Sequence, residues 1–120
     1  MKENPVKDKS FAFALRVVNL AKYLEGRKKE FVLSKQVLRS GTAVGALIRE
    51  AEHAESKADF IHKMSIALKE ANETLYWLDL LHQGEYIDEQ SFHSIGSDSE
   101  ELVKLLSAIV KTSKVSKRSE

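Results

Sequence analysis

The sequence has no cysteine, only one proline and only five glycines among its 120 residues. Without cysteine the chain cannot form a disulfide or a thiolate metal site, and such a composition suits a reducing cytoplasm. No apolar run approaches the roughly 20 residues needed to span a bilayer. The N-terminal stretch MKENPVKDKS also lacks the apolar segment of a signal peptide. We therefore expect a soluble cytoplasmic protein that is not exported.

Strand signals are missing as well, because no segment alternates between apolar and polar residues and no hairpin turn is indicated. Apolar residues recur instead at helical spacing, with short links between the periodic segments. A chain of this length with 42% hydrophobic residues is the size of one domain. We predict an all-α fold, an antiparallel up-down-up-down four-helix bundle over residues 1–120 that assembles into a homo-oligomer. The predicted helices span about Ser10–Glu25, Ser34–Ala54, Ser56–Leu81 and Asp88–Thr112, between a loose N-terminal arm (1–9) and a disordered basic tail (113–120).

The ends of these helices carry the usual start and stop residues. Ser56, followed three residues later by Asp59, resembles a capping box, and Asp88 is a candidate cap for the fourth helix. Gly26 and Gly84 stand where a glycine commonly ends a helix. The run 96–99, Gly-Ser-Asp-Ser, is the one weak point, and we favour a continuous or bent fourth helix over two short ones.

The second helix contains two glycines, Gly41 and Gly45, in a segment rich in small residues. A glycine inside a helix is less favourable than alanine by about 0.5–1 kcal/mol. Two of them therefore indicate close approach of another helix, with a local kink as the alternative.

Two helices are apolar over more of their circumference than one core can cover. The first has two adjoining stripes, of which one comprises Phe11, Ala14, Leu15, Val18 and Ala21. The third has apolar side chains opposite its main stripe, including a tryptophan, and such surplus indicates contact with another chain. The predicted oligomer interface comprises Phe13, Val17, Leu20, Leu24, Ile66, Tyr76, Trp77 and Leu80.

The net charge of +1 conceals a strong separation of charge along the chain. Residues 1–49 hold eleven Lys and Arg against four acids, residues 50–101 hold three against thirteen, and residues 102–120 hold five against one. This pattern indicates either an anion-binding surface or packing of the basic ends against the acidic third helix of a neighbouring subunit. RNA or DNA would be held through phosphates and not read by base, because no recognised reading motif is present. The candidate nucleic-acid-binding residues are Arg16, Lys22, Arg27, Lys28, Lys29, Lys35, Arg39 and Arg49.

Patterns that could support catalysis or a cofactor are weak. Four-helix bundles can hold two metal ions through Glu-x-x-His pairs, and Glu50 with His53 and Asp59 with His62 have that spacing. Both histidines lie nearly opposite the apolar faces of their helices, whereas such a site needs inward ligands. We predict no catalytic residue, no metal and no cofactor, and keep a metal-dependent bundle enzyme as the alternative function.

The region Ser40–Leu81 contains a set of residues that recur together in one known family. They are Ser40-Gly41-Thr42, Glu50-Ala51, Ala54, Ser56, Phe60, Lys63, Ala67, Lys69-Glu70, Glu73-Thr74 and Trp77-Leu78. Through them the chain resembles the bacterial four-helix-bundle proteins encoded in intervening sequences of 23S ribosomal RNA genes. The segments Phe31–Gln36 and Glu101–Thr112 also fit that family, whereas Ala43 and Leu47 stand where it usually has Ser and Asn.

This resemblance implies a four-helix subunit in a ring-like homopentamer with no established enzymatic activity. A related branch is the accessory variability determinant of diversity-generating retroelements, which has the same kind of assembly and binds nucleic acid beside a reverse transcriptase. Nucleic-acid binding by this chain is therefore a hypothesis that the resemblance adds to the charge pattern.

Overall fold

The computed structural model describes residues 4–119, which form four α-helices. Helix α1 spans Pro5–Gly26, α2 spans Leu33–Glu52, α3 spans Lys57–Gln83 and α4 spans Glu89–Ser119. No strand occurs within these residues, so the all-α prediction is confirmed. In the described region, no helix combines the length and apolarity that a bilayer span requires.

Helix α1 begins five residues before the predicted Ser10. Asn4 caps it by accepting the backbone N–H of Lys7 at 3.2 Å, and Pro5 occupies the first turn, where its missing N–H is not needed. Ser10 is instead buried, and its hydroxyl donates to the carbonyl of Lys7. The prediction of a loose arm is therefore wrong from residue 5 onward, and residues 1–3 lie outside the described part.

The other helix ends follow their sequence signals more closely. The Ser56 hydroxyl accepts the N–H of Asp59 at 3.0 Å, and the Asp88 carboxylate accepts the N–H of Ser91 at 2.7 Å, so both predicted caps are confirmed. Gly84 ends α3 at a φ of −80°, and the left-handed residue is Glu85 at 66°. Gly84 therefore ends the helix as predicted, but the left-handed conformation falls on the residue after it.

Ser34, where the second helix was predicted to begin, lies in the first turn of α2 and is fully buried, with its hydroxyl donating to Glu25 at 3.1 Å. The start of α2 is instead held by Glu30, whose carboxylate accepts the backbone N–H groups of Val32 and Ser34. A carboxylate there complements the positive end of the helix dipole.

Helix α4 runs without interruption through residues 96–99, as favoured above. Gly96 and Ser99 are buried, and the Ser99 hydroxyl points at the carbonyl of Ala71 on α3. The helix also continues beyond Thr112 to Ser119, so the prediction of a disordered tail from residue 113 is wrong over the described residues.

The four helices form a closed antiparallel bundle in which each packs against its neighbours in sequence and α1 packs against α4. The backbones of α1 and α3 do not approach each other closely, so these two helices lie on a diagonal. One core, shared by all four helices, holds Phe13, Val17, Leu24, Val37, Val44, Ile48, Met64, Ala67, Ala71, Leu78, Leu81, Leu102, Leu106 and Val110.

Candidate assembly and nucleic-acid surfaces

The predicted interface on α1 faces inward. Phe13, Val17 and Leu24 are at most 1% exposed and belong to the core, while Leu20 is half-buried against it. These residues cannot meet another chain without unfolding their own subunit. The prediction is therefore wrong for Phe13, Val17 and Leu24, because the two stripes of α1 are similarly apolar and the bundle buries the one that faces α3.

The other stripe of α1 is the exposed one. Phe11 is 53% exposed and Leu15 is 52% exposed, whereas Ala14 and Val18 are half-buried and only Ala21 of this stripe is buried. The surplus apolar surface that the sequence indicated therefore exists, but on the neighbouring face of the helix. The large residues at positions 11 and 15 recur at the same helical spacing as the buried stripe, so periodicity alone does not distinguish the two.

Phe11 and Ala14 of this stripe lie in one wall of a shallow groove of about 230 Å³ between α1 and α2, which we call the α1–α2 groove. Its opposite wall includes Arg49, whose guanidinium carbon lies 5.6 Å from the centre of the Phe11 ring. Such a cation–π contact shields one face of the exposed ring. The groove is lined by Lys7, Ser10, Phe11, Ala14, Thr42, Gly45, Ala46 and Arg49.

The small residues of α2 allow its close contact with α1. A β-carbon at Gly41 would lie 2.8 Å from both methyl groups of Val17, and one at Gly45 would lie 3.5 Å from the carbonyl oxygen of Ser10. Helix α2 passes through both glycines without interruption. The close approach predicted from these glycines is therefore present, and at Gly41 it is a tight one.

On α3, two of the four predicted interface residues are exposed. Tyr76 is 58% exposed and Leu80 is 37% exposed, whereas Ile66 and Trp77 are half-buried. We call Tyr76 and Leu80 the α3 ridge; on a helical wheel they point away from the core-facing positions 67, 71, 74 and 78. The ridge lies on the helix diagonal to α1, far from the α1–α2 groove of the same subunit.

Trp77 links the ridge to a polar network between α2 and α3. Its indole N–H donates to Glu73 at 3.0 Å, and its ring meets that of Tyr76 edge to face at 5.1 Å between centres. Arg39 on α2 pairs with Glu73 and with Glu70. Two helices therefore fix the orientation of the aromatic pair.

The candidate nucleic-acid-binding residues do not all remain available. Arg16 pairs with Asp98 at 2.6 Å, and its guanidinium also donates to Ser94, which ties α1 to α4. Arg39 is held in the network with Glu70 and Glu73, and Arg49 covers Phe11. These three arginines stabilise packing between helices or side chains.

The remaining five cations are exposed around the turn between α1 and α2, and none forms an ion pair within the described residues. We call them the basic turn. Lys29 has a positive φ of 55°, so the turn is a fixed bend and not a continuation of α1. The basic turn comprises Lys22, Arg27, Lys28, Lys29 and Lys35.

The turn between α3 and α4 lies at the same end of the bundle and is acidic. It contributes Glu85, Asp88 and Glu89 to a shallow depression that Lys28 also lines. The hydrogen bond from the Ser91 backbone N–H holds the pKa of the Asp88 carboxyl below its usual value, with the nearby His82 as a smaller cause. One end of the bundle therefore presents a positive and a negative edge side by side.

The histidines show no metal-site geometry. His53 and His62 are exposed, and Glu50 pairs with Lys63 at 3.0 Å, which raises the pKa of the lysine ammonium. Residues 4–119 contain no group of three or more side chains placed to share a metal ion.

The ring of His82 on α3 stacks on that of Phe92 on α4, with 4.3 Å between ring centres, and the sequence analysis did not predict this contact. No local signal marks it, because the two rings come from different helices.

Comparison with known proteins identifies relatives of this chain and supports its four-helix fold. The family model described as 23S rRNA-intervening sequence protein matches residues 2–108. A crystal structure of a protein of unknown function from the S23 ribosomal protein family of Bacteroides thetaiotaomicron VPI-5482 is 62% identical to this chain. The two structures superpose with a TM-score of 0.88, over 88% of this chain and 98% of that one. The comparison with curated proteins found no match.

Proposed function

Since this chain belongs to the family of 23S rRNA-intervening sequence proteins, we propose that it is a non-enzymatic cytoplasmic protein that assembles with copies of itself. The resemblance of Ser40–Leu81 to that family favours a ring of five subunits. One observation carries the proposal: apolar side chains are exposed on two separate faces of a bundle that already has a complete core.

The two faces are the α1–α2 groove, with the exposed Phe11 in its wall and the exposed Leu15 on the same helix, and the α3 ridge. Because α1 and α3 occupy a diagonal, the two faces point in different directions. An interface that joins two different faces is heterologous, and it closes into a ring when the rotation between subunits divides a full turn. The arrangement therefore favours a cyclic assembly over a simple two-fold dimer.

The apolar gain from these residues is moderate. Fully burying a Leu or Phe side chain contributes about 1.5–3 kcal/mol, and Phe11, Leu15, Tyr76 and Leu80 are each about one-third to three-fifths exposed. The four together contribute about 3–6 kcal/mol per interface on this scale. Association opposes this by about 4 kcal/mol or more, so each pairwise contact is weak. A closed ring gives every subunit two such interfaces, which favours the ring over an isolated pair.

A non-enzymatic role is consistent with the ion pairs that three acidic side chains of α2 and α3 form. Glu50 is paired with Lys63, and Glu70 and Glu73 are paired with Arg39. A carboxylate bound to a cation is poorly suited to accept a proton or a metal ion. Elemental analysis of the purified protein tests the alternative of a metal-dependent enzyme, which a stoichiometric metal would support.

The particle mass tests self-assembly. Light scattering coupled to size exclusion, at micromolar protein, is expected to give about five times the chain mass of 13.6 kDa. Dilution should shift the distribution toward the single chain, because the pairwise contacts are weak. A wild-type protein that is already monomeric at micromolar concentration would contradict the proposal.

We infer nucleic-acid binding as a second function, because the five cations of the basic turn have no acidic partner among the described residues. Assembly would multiply this weak site and raise its avidity without any strong single contact. Binding through phosphates weakens as salt rises, with a slope near −0.9 per phosphate contacted on duplex DNA. Fluorescence anisotropy with structured RNA and with duplex DNA, at two salt concentrations, measures this slope.

A charge-matched pair of variants locates the surface. The triple variant Arg27→Gln, Lys28→Gln and Lys29→Asn removes three charges, and Asn tolerates the positive φ at position 29. The control removes three exposed charges from α4 through Lys104→Gln, Lys111→Gln and Lys114→Gln. Only the first should reduce both affinity and salt slope. Equal loss in both variants would point to net charge, and undetectable wild-type binding at low salt would exclude the function.

A further inference from the structure

The α1–α2 groove is large enough to hold one or two side chains of another protein chain. Its volume of about 230 Å³ lies below the range of roughly 300–1,000 Å³ that small-molecule sites occupy. Ala14, Gly45 and Ala46 give it a shallow surface of small residues, and an added β-carbon at Gly45 would meet nothing closer than 3.5 Å. Phe11 and Arg49 stand at its edges. The groove therefore suits a protruding side chain better than a ligand.

The α3 ridge is the protruding feature on the same molecule. Tyr76 is the most exposed aromatic residue of α3, and its ring is supported from one side by Trp77. Trp77 is in turn fixed by its hydrogen bond to Glu73. A side chain held in place before binding loses less conformational entropy on docking.

The charges beside the two features are complementary. Among residues 4–119, Arg49 has no carboxylate within ion-pair distance, and Lys7 at the same groove pairs with Glu52. Asp79 follows Tyr76 by three residues, so it lies on the same side of the helix. It is exposed, and no cation of the described region is paired with it. A cation lies beside the groove and an acid beside the ridge.

We propose that the α3 ridge of one copy docks into the α1–α2 groove of the next, with Tyr76 over the small residues and Asp79 opposite Arg49. This inference rests on the proposed self-assembly and specifies its interface. The ridge cannot fill the groove of its own subunit, because α1 and α3 lie on a diagonal. A second copy supplies an aromatic side chain to fill the groove and a carboxylate to pair with Arg49.

Two variants, each defective in one face, test this docking. Ala46→Glu places a carboxylate in the groove, where it blocks Tyr76 and repels Asp79. Tyr76→Glu removes the aromatic knob. Both positions are exposed, so the bundle should stay folded, which circular dichroism checks. Leu80→Glu and Phe11→Ser serve as second variants of the same two faces.

Each variant alone should be monomeric, because a chain with one defective face cannot continue a heterologous assembly. A mixture of the two, raised to millimolar protein because a single contact is weak, should form a one-to-one dimer and nothing larger, since the intact ridge of the Ala46→Glu chain meets the intact groove of the Tyr76→Glu chain. The matched controls Ala108→Glu and Tyr23→Glu make the same changes at exposed positions outside both faces and should keep the wild-type mass.

The outcomes separate this inference from self-assembly itself. A monomeric wild type would refute self-assembly and the docking together. An assembled wild type combined with variants that keep their mass, or with a mixture that stays monomeric even at millimolar protein, would overturn the docking alone. The exchange Arg49→Asp with Asp79→Arg adds a charge test: each single change should weaken assembly by at most about fivefold, and the double change should restore it. If the double variant does not recover assembly, Arg49 and Asp79 do not contact each other across the interface.

Discussion

The same methyl group added at two positions of α2 should change stability in opposite directions. At Gly41 the new carbon would lie 2.8 Å from both methyl groups of Val17 and 3.2 Å from its β-carbon. Val17 is fully buried and branched at that carbon, so it cannot rotate away. At Gly45 the nearest atom is a carbonyl oxygen at 3.5 Å, an ordinary contact distance.

These distances decide whether each added methyl group lowers or raises the free energy of unfolding. Overpacking a core destabilises a protein by about 1–3 kcal/mol, while replacing an internal helical glycine with alanine stabilises it by about 0.5–1 kcal/mol. Gly41→Ala should therefore lower the free energy of unfolding by about 1 kcal/mol, and Gly45→Ala should raise it by about 0.5–1 kcal/mol. The effect of alanine on the unfolded chain is the same at both sites and cancels in the difference.

Urea unfolding measures both variants. Since Gly45 lines the proposed interface, the measurement belongs in the Tyr76→Glu background, where assembly should not add to stability. Val17→Ala in the Gly41→Ala chain supplies a control, because the smaller residue makes room for the new methyl group. Its effect there should be smaller than in the parent chain. Equal stabilities of the two alanine variants, or the reverse order, would refute the packing argument.

Three further changes test local contacts by the same unfolding measurement. Ser56→Ala should destabilise the protein by about 1 kcal/mol, because α3 loses its cap. Ser107→Ala, on the exposed face of α4, is the control and should have little effect. Similar losses of stability in the two variants would argue against the cap. Asp88 has a lowered pKa because its carboxylate accepts the Ser91 N–H. Its contribution to stability should therefore be complete above the ordinary pKa of 3.8 and be lost as the pH falls through the lowered pKa. An Asp88→Asn chain whose stability depends on acidic pH just as the parent's does would contradict this. Arg16→Gln should destabilise the protein by less than about 1 kcal/mol, because exposed ion pairs contribute little, and a larger loss would show that this contact is essential to the packing of α1 on α4.

Much of the fold followed from local signals. Helix number and most helix ends could be predicted because caps such as Ser56 and Asp88 depend on residues three positions apart. The start of α1 was also readable, since Asn4-Pro5 is a cap followed by a proline at the first helical position. Ser10, the predicted start, lies about one and a half turns inside the helix. The extent of α4 was not readable, because a polar C-terminal segment carries no apolar stripe that requires packing.

The candidate surfaces divide in the same way. The sequence by itself determined that α1 and α3 carry more apolar side chains than one core can hold, since helical periodicity assigns every residue to a face. Only the tertiary structure decided which stripe of α1 is buried and that Arg16 and Arg39 are held in ion pairs. Phe13 and Phe11 have the same chemistry, and their burial depends on the direction from which the other helices approach. That direction is set by the packing of the whole bundle, which no local pattern contains.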